Sequence, residues 1–273
     1  MPYRNLHQVG ICVFVSCFIL YVACVRADGA ATEKSGSSLT ADAGDPTAPL
    51  VQMQFTYFYS DNVRNSDDNA RIFLIEPVIP VPAGTIGPLP QIVRPIVPFI
   101  DVPDGSSGLG DISWDHIFVP RHYDWGTLGY GYIATLPTAT HPDSGSGKYL
   151  LGPAATGIYY GFRNWQLGAL VSQSWSVAGD ENRDDVSVTT IQPIINYLHE
   201  DWYVGIGDFT WTYNWKDVKG WTIPLGLQLG KIVRWGKYHY NLSVELMWAP
   251  VVAGDEPLPE SGIKFGFVWL LPE

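Results

Sequence analysis

Cysteine is almost missing from this chain. The three present, Cys12, Cys17 and Cys24, all fall within the first 24 residues, and none follows. A disulfide framework, a thiolate nucleophile and a cysteine-based zinc site are therefore excluded from everything downstream. Charge is also scarce, at 16% of residues against ~25% in soluble domains. Apolar runs long enough for a helical membrane span, ~18 residues or more, occur nowhere outside the extreme N-terminus. The histidines His116, His122, His141, His199 and His239 lack metal-ligand spacing, and no nucleophile elbow, phosphate loop or dinucleotide fingerprint is present. No metal, cofactor or catalytic residue is expected, and the chain reads as a non-enzyme. Net charge is −11, which argues against a nucleic-acid partner.

What is abundant is aromatic and small: 11 Trp, 15 Tyr and 28 Gly in 273 residues, with 46% hydrophobic. Low charge with many aromatics and no helical span fits a barrel whose outer face meets lipid. The other reading of composition is a soluble all-β sandwich with a large core.

The N-terminus reads as a secretory signal peptide, residues 1–27. Arg4 and His7 give a basic start, Ile11 to Val25 is apolar, and Val25-Arg26-Ala27 fits a small-residue cleavage site. Residues 28–49 are small, polar and aperiodic, and are expected to be a flexible periplasmic leader.

From Leu50 onward the chain alternates. In Trp221–Val233 the odd positions Trp221, Ile223, Leu225, Leu227, Leu229 and Val233 are large and apolar, whereas the even ones include Thr222, Gly226, Gln228 and Gly230. A period of two means strand. Thirteen residues exceeds the usual ~5–6 and suits a tilted bilayer crossing of ~9–11. The same pattern recurs in stretches beginning near residues 50, 71, 91, 109, 127, 149, 165, 186, 202, 221, 237 and 263. Near Gly207-Asp208 the alternation slips, which one extra residue, a β-bulge, would produce. The prolines between residues 70 and 100 make the count hardest to read there. The expectation is an all-β transmembrane antiparallel β-barrel over residues 50–273, with about twelve strands, ten or fourteen being the alternatives.

Connections support this. From Leu109 they alternate, short at 120–126, 161–164, 199–201 and 234–236, long at 137–148, 178–185, 214–220 and 249–261. Outer-membrane barrels have short periplasmic turns and longer external loops. Trp125, Trp165, Trp202 and Trp235 fall at the short turns; Trp175, Trp211, Trp215, Trp221 and Trp248 fall near the long loops. Two such bands resemble interfacial girdles.

The segments GLGDI (Gly108–Ile112), LPTAT (Leu136–Thr140), SGKYLLGPAA (Ser146–Ala155), TIQPIINY (Thr190–Tyr197) and FGFVWLLPE (Phe265–Glu273) resemble a family of proteobacterial proteins described as putative components of a MetA pathway of phenol degradation. The resemblance spans roughly residues 50 to 273. It implies an outer-membrane barrel of a Gram-negative bacterium acting as a channel for hydrophobic or aromatic compounds. The chain departs from the usual barrel ending, a C-terminal aromatic, because Pro272-Glu273 close it.

With the large faces turned to lipid, the inward set is Gln52, Gln54, Asp111, Ser113, Asp115, Gln228, His239, Asn241, Glu245 and Lys264. Ionisable groups at membrane depth must face water or a partner. These residues are expected to line a mainly acidic pore that favours neutral or cationic solutes; mutual pairing that plugs the interior is the competing expectation. The expected partners are outer-membrane lipid, the barrel assembly machinery and an unidentified small solute. The alternatives to a channel are a barrel hydrolase, with Ser243 and His239 as its candidate pair, and a non-transporting surface interaction protein.

Overall fold

Alternation along the chain becomes fourteen strand segments in a computed structural model, which describes residues 36–207, 209–216, 219–254 and 257–271. The expected signal peptide and residues 28–35 of the expected leader lie outside the described residues. Twelve staves result, because in each of two cases a pair of segments lies end to end along a shared neighbouring strand. They are β1 (Val51–Val63), β2 (Ala70–Val81), β3 (Gln91–Asp101) and β4 (Ser107–Leu109 with Ile112–Tyr123). Next come β5 (Gly126–Leu136), β6 (Lys148–Tyr159), β7 (Trp165–Gly179) and β8 (Ser187–His199). The last four are β9 (Trp202–Gly205 with Trp211–Asn214), β10 (Gly220–Trp235), β11 (Tyr238–Val251) and β12 (Pro259–Leu271).

Each strand pairs antiparallel with its sequence neighbours, and β1 closes on β12 from Val51↔Leu271 to Val63↔Pro259. The product is a closed twelve-strand antiparallel barrel. Closure removes the unpaired edges that an open sheet would present. The connections keep the expected alternation: at one end 124–125, 160–164, 200–201 and 236–237, at the other 137–147, 180–186, 215–219 and 252–258.

The prolines that cloud β2 and β3 are accommodated by register. Pairing runs Arg71↔Asp101 to Ile75↔Val97 and resumes at Ile79↔Val93. Pro77 and Pro95 therefore fall opposite each other in the gap, while Pro80 and Pro98 stay in register opposite Ile92 and Leu74.

Burial is inverted relative to a soluble sandwich. The large apolar side chains Leu225, Leu227, Leu229, Leu242, Leu246, Phe265 and Phe267 are exposed, whereas Gln52, Gln166, Asn196, Gln228, Asn241, Glu245 and Lys264 are buried. Rings join across the outer face: Phe99–Phe73–Phe55–Phe267–Tyr240, with centroids 5.4 to 6.4 Å apart. Trp125, Trp165, Trp202 and Trp235 are exposed near the short turns, and Trp175, Trp215, Trp221 and Trp248 near the long loops. Lys231 lies on this apolar face with its ammonium 4.4 Å from the Trp202 ring centroid, an arrangement that desolvation strengthens.

Two expectations are corrected. The first concerns the leader. Gly36–Ala43 form a helix, α1, which is docked rather than flexible. Leu39 is fully buried against Leu50, Ile232 and Leu270. Helix propensity is not the cause, because eight residues are too few to hold a helix alone; tertiary packing at the short-turn end holds it. The second concerns β9. Instead of one bulged residue, the ladder stops after Ile206, whose N–H still donates to the Ile195 carbonyl at 3.1 Å, and resumes at Trp211. Gly207 takes φ +80, a left-handed conformation open to glycine. Phe209 turns inward and meets Phe58 edge-on at 5.7 Å.

Candidate functional site: the barrel interior

Alternation points every second side chain inward, and glycine decides how much space remains. At Gly230 a Cβ would stand 2.1 Å from the Tyr203 ring, and at Gly226 it would stand 1.9 Å from Glu245 Oε1. The low wall of β10 is therefore occupied from inside by Tyr203 and by the Glu245 carboxylate, with Phe209 close by. Asn241 holds the Tyr203 hydroxyl, with Nδ2 donating at 3.1 Å and the hydroxyl 3.2 Å from Oδ1.

A cavity of about 620 Å³ remains. Its polar arc comes from β1 to β4. Gln54 Nε2 donates to Gln52 Oε1 at 2.8 Å. Arg94 donates from both Nε (3.0 Å) and Nη2 (2.5 Å) to Asp115 Oδ2. Glu76 stands opposite Gln54 in the adjacent strand and also lines the space. Apolar side chains complete the wall, among them Ile96, Leu170, Ile194 and Val268. Toward one side Val78, Ile92, Ile117, Val119, Ala154 and Leu170 pack into an apolar cluster inside the barrel.

A second ion pair sits in the β11–β12 wall. Lys264 Nζ is 2.5 Å from Glu245 Oε2, and the side chains are 8% and 0% exposed. Phe209 covers it: Lys264 Nζ lies 4.5 Å from the ring centroid. Gly207 presses against the same carboxylate, since a Cβ there would overlap Glu245 Oε1. The folded-in stretch of β9 and this ion pair are one unit.

The floor is α1 and the residues after it. Ala43, Gly44, Asp45 and Pro46 line the cavity at the short-turn end. Thr40 Oγ1 donates to the Glu200 carbonyl at 3.0 Å, and Gln166 Nε2 to the Ala41 carbonyl at 2.9 Å. Asp45 accepts from Thr47 N (2.7 Å), from Thr47 Oγ1 (2.6 Å) and from the Tyr160 hydroxyl. Burial raises the Asp45 carboxyl above its usual range, outweighing those hydrogen bonds. Burial, with Asp45 beside it, likewise pushes the Tyr160 hydroxyl upward.

Of the ten inward candidates, Gln52, Gln54, Asp115, Gln228, Asn241 and Lys264 border the cavity. Glu245 lies behind it, paired with Lys264. Asp111 is elsewhere: at the break in β4 it accepts from Ala139 N (3.1 Å), Ser146 N (2.7 Å) and Ser146 Oγ (2.9 Å), pinning the loop at 137–147. Ser113 stands on the inner face beside Thr135 and Ile96 but outside the cavity lining. His239 lies at the short-turn end opposite Leu270, also outside the lining.

The mainly acidic wall is corrected in part, because Asp115 and Glu245 each face a cation. Arg94 stands among prolines that obscure the alternation, yet Ile92-x-Arg94-x-Ile96 places a charge on an apolar inward row, where a partner must exist. As for a hydrolase, Ser243 and His239 lie four residues apart on one strand, ~13 Å along it, beyond hydrogen-bond reach of each other. Among the described residues, no group of three or more His, Cys, Asp or Glu is placed to hold a metal ion.

No protein-family model and no curated protein matches the chain. Solved structures do. An outer membrane channel from Pseudomonas putida F1 superposes with a TM-score of 0.59 at 14% identity, covering 83% of this chain and 99% of that one. A KdgM porin gives 0.48 at 10% identity over 80% and 98%. Outer membrane phospholipase A from Escherichia coli gives 0.42 at 14% over 88% and 99%. The first of these likenesses bears on the fold, which is a closed twelve-strand antiparallel β-barrel in this chain.

Proposed function

We propose that the protein is an outer-membrane channel for passive passage of small hydrophobic or aromatic compounds, without enzymatic activity. The observation that carries this reading is the inverted burial: exposed Leu, Phe and Trp surround an interior of buried Gln, Asn and paired ions with a 620 Å³ space in it. Soluble monomers rarely expose contiguous apolar patches beyond a few hundred Å², and a bilayer is the solvent such a surface fits. The long loops then face outward from the cell and the short turns face the periplasm. The lining suits an uncharged molecule with one polar group, because its charges are mostly internally paired while Leu170, Ile194 and Val268 offer apolar contact. Gln52, Gln54, Asp115, Gln228, Asn241 and Lys264 line the path; Arg94 and Glu76 join them. The resemblance to the MetA-pathway family points to the same solute class.

Membrane fractionation with heat-modifiable gel mobility tests location, and recovery in the soluble periplasm would refute it. Liposome swelling with uncharged aromatic alcohols against sugars of similar size tests passage. Faster swelling with the aromatics is expected; equal rates overturn the solute class, and no swelling with any solute overturns the channel.

A further inference from the structure

The floor is firmly held. Leu39 is fully buried, Thr40 and Asp45 are buried with it, and Glu200, Gln166 and Tyr160 tie the segment to the wall. The wall is interrupted where β9 leaves both of its neighbours. We propose that solute leaves the cavity sideways at this interruption, between β8 and β10, into the hydrocarbon of the membrane, with the Trp211 indole as shutter. The proposal rests on the channel reading and adds the route and the phase that receives the solute.

Three observations meet at the interruption. First, the break is written into both flanking strands. Among the described residues, the ladder pairs β9 with neither β8 nor β10 after Ile206 and before Trp211. Alternate residues of a strand turn their N–H and C=O to the same neighbour. On β8 the Ser187 carbonyl accepts from Trp215 N at 2.9 Å and the Ile195 carbonyl from Ile206 N at 3.1 Å. Pro193 shares their parity, so it faces the gap with no N–H to leave unpaired. On β10 Ile232 N donates to the Asp201 carbonyl at 2.7 Å. Pro224 shares that parity and faces the gap from the other side. Its carbonyl accepts from Trp211 Nε1 at 3.0 Å, so an indole stands where a strand would. Unpaired backbone at bilayer depth is costly, and two prolines remove two of the donors that would incur the cost.

Second, the cavity reaches the gap. Gly207, Phe209, Thr210 and Pro224 border it, and so does Pro193, whose parity is that of the exposed Ile195 and Tyr197. Irregular backbone at membrane depth is tolerated where it lines such a space. A Cβ at Gly226 would meet Glu245 and Phe209. The β10 side of the gap is therefore filled from within, and the passage lies on the β8 side, by Pro193. Third, the far side of the gap faces lipid. Ile195, Val204, Leu225 and Leu227 around it are exposed, and on β10 it falls between Trp221 and Trp235, one from each tryptophan band. Thr210 and Thr212 border the cavity, so Trp211 points outward, and its bond to Pro224 lays the half-buried ring over the gap. Side chains rather than a strand part cavity from lipid here. A solute taking this route must prefer hydrocarbon to water, which selects apolar aromatics over sugars.

Uptake of N-phenyl-1-naphthylamine, which fluoresces on entering membrane hydrocarbon, by Gram-negative cells carrying the full chain tests the route. Gly44→Cys/Asn196→Cys locks the floor: a Cβ at Gly44 would stand 3.1 Å from Asn196 Nδ2, and no natural cysteine follows Cys24. The oxidised lock is expected to take up the probe as fast as the parent. Uptake that falls on oxidation and returns with reductant overturns the sideways route and leaves the channel. Trp211→Ala is expected to raise uptake severalfold and Trp211→Phe to raise it less, with liposome swelling in sugars unchanged by either. Equal uptake in Trp211→Ala and the parent, or a matching rise with sugars, overturns the route. Uptake no faster than in cells lacking the chain, in the parent and both Trp211 variants, overturns the channel reading itself. Unchanged heat-modifiable mobility of each variant confirms its fold.

Discussion

The two ion pairs inside this barrel are alike in chemistry and unlike in setting. Arg94–Asp115 lies on the β3–β4 wall with its guanidinium 20% exposed, toward the open cavity. Lys264–Glu245 lies on the β11–β12 wall with its carboxylate fully covered by the folded-in part of β9. Water can relieve the first pair if a partner is lost. The Glu245 carboxylate of the second is fully covered, and there an orphaned charge keeps its full desolvation penalty. The same motif therefore tunes a path on one wall and pins a structure on the other.

The sharpest way to break the comparison is at Lys264. Lys264→Met leaves Glu245 buried without its cation and is expected to cost about 3–5 kcal/mol, whereas the double change with Glu245→Leu recovers most of it. Denaturant unfolding of the refolded barrel in micelles reads both; equal losses in the single and double variants would contradict the assignment. Next comes Gly207→Ala. The strained φ and the overlap with Glu245 predict a loss of about 1–3 kcal/mol, read by the same unfolding.

On the opposite wall, Arg94→Gln is expected to lower stability by about 1 kcal/mol or less and to change conduction instead. With Asp115 and Glu76 left facing the space, reversal potentials in a salt gradient shift toward cation selectivity, and Asp115→Asn shifts them back toward anions. Stability losses matching those at Lys264 would erase the distinction. The smallest effect belongs to Lys231, outside both pairs. Lys231→Met removes a single cation–ring contact worth about 0.5–1 kcal/mol and replaces it with lipid-compatible surface, so the melting transition is expected to move little and ion selectivity not at all.

The sequence makes the wall legible because a two-residue period and a bilayer-length strand leave few other solutions. Trp221–Val233 alone identifies an inner row of Gln228 and glycines and an outer row of leucines, and the structure keeps both. The interior is harder to read because what fills it is not periodic. GSSLTADA carries one leucine, and nothing local reveals that Leu39 meets Ile232 and Leu270 far along the chain. Phe209 follows a slip in alternation that marks an irregularity without giving its direction; Gly207 and the cation at position 264 decide it. Asp111 shares the parity of Asp115, yet the break at Gly110-Asp111 gives it to a loop, a difference that spacing along an ideal strand does not contain.

Leu39 packs against Leu270, one position from the end of β12, and β12 is also the strand that closes the wall onto β1. Leu50, Ile232, Gln166 and Glu200 each receive part of α1, and Leu270 completes the pocket, so the floor is finished only where the wall itself is closed.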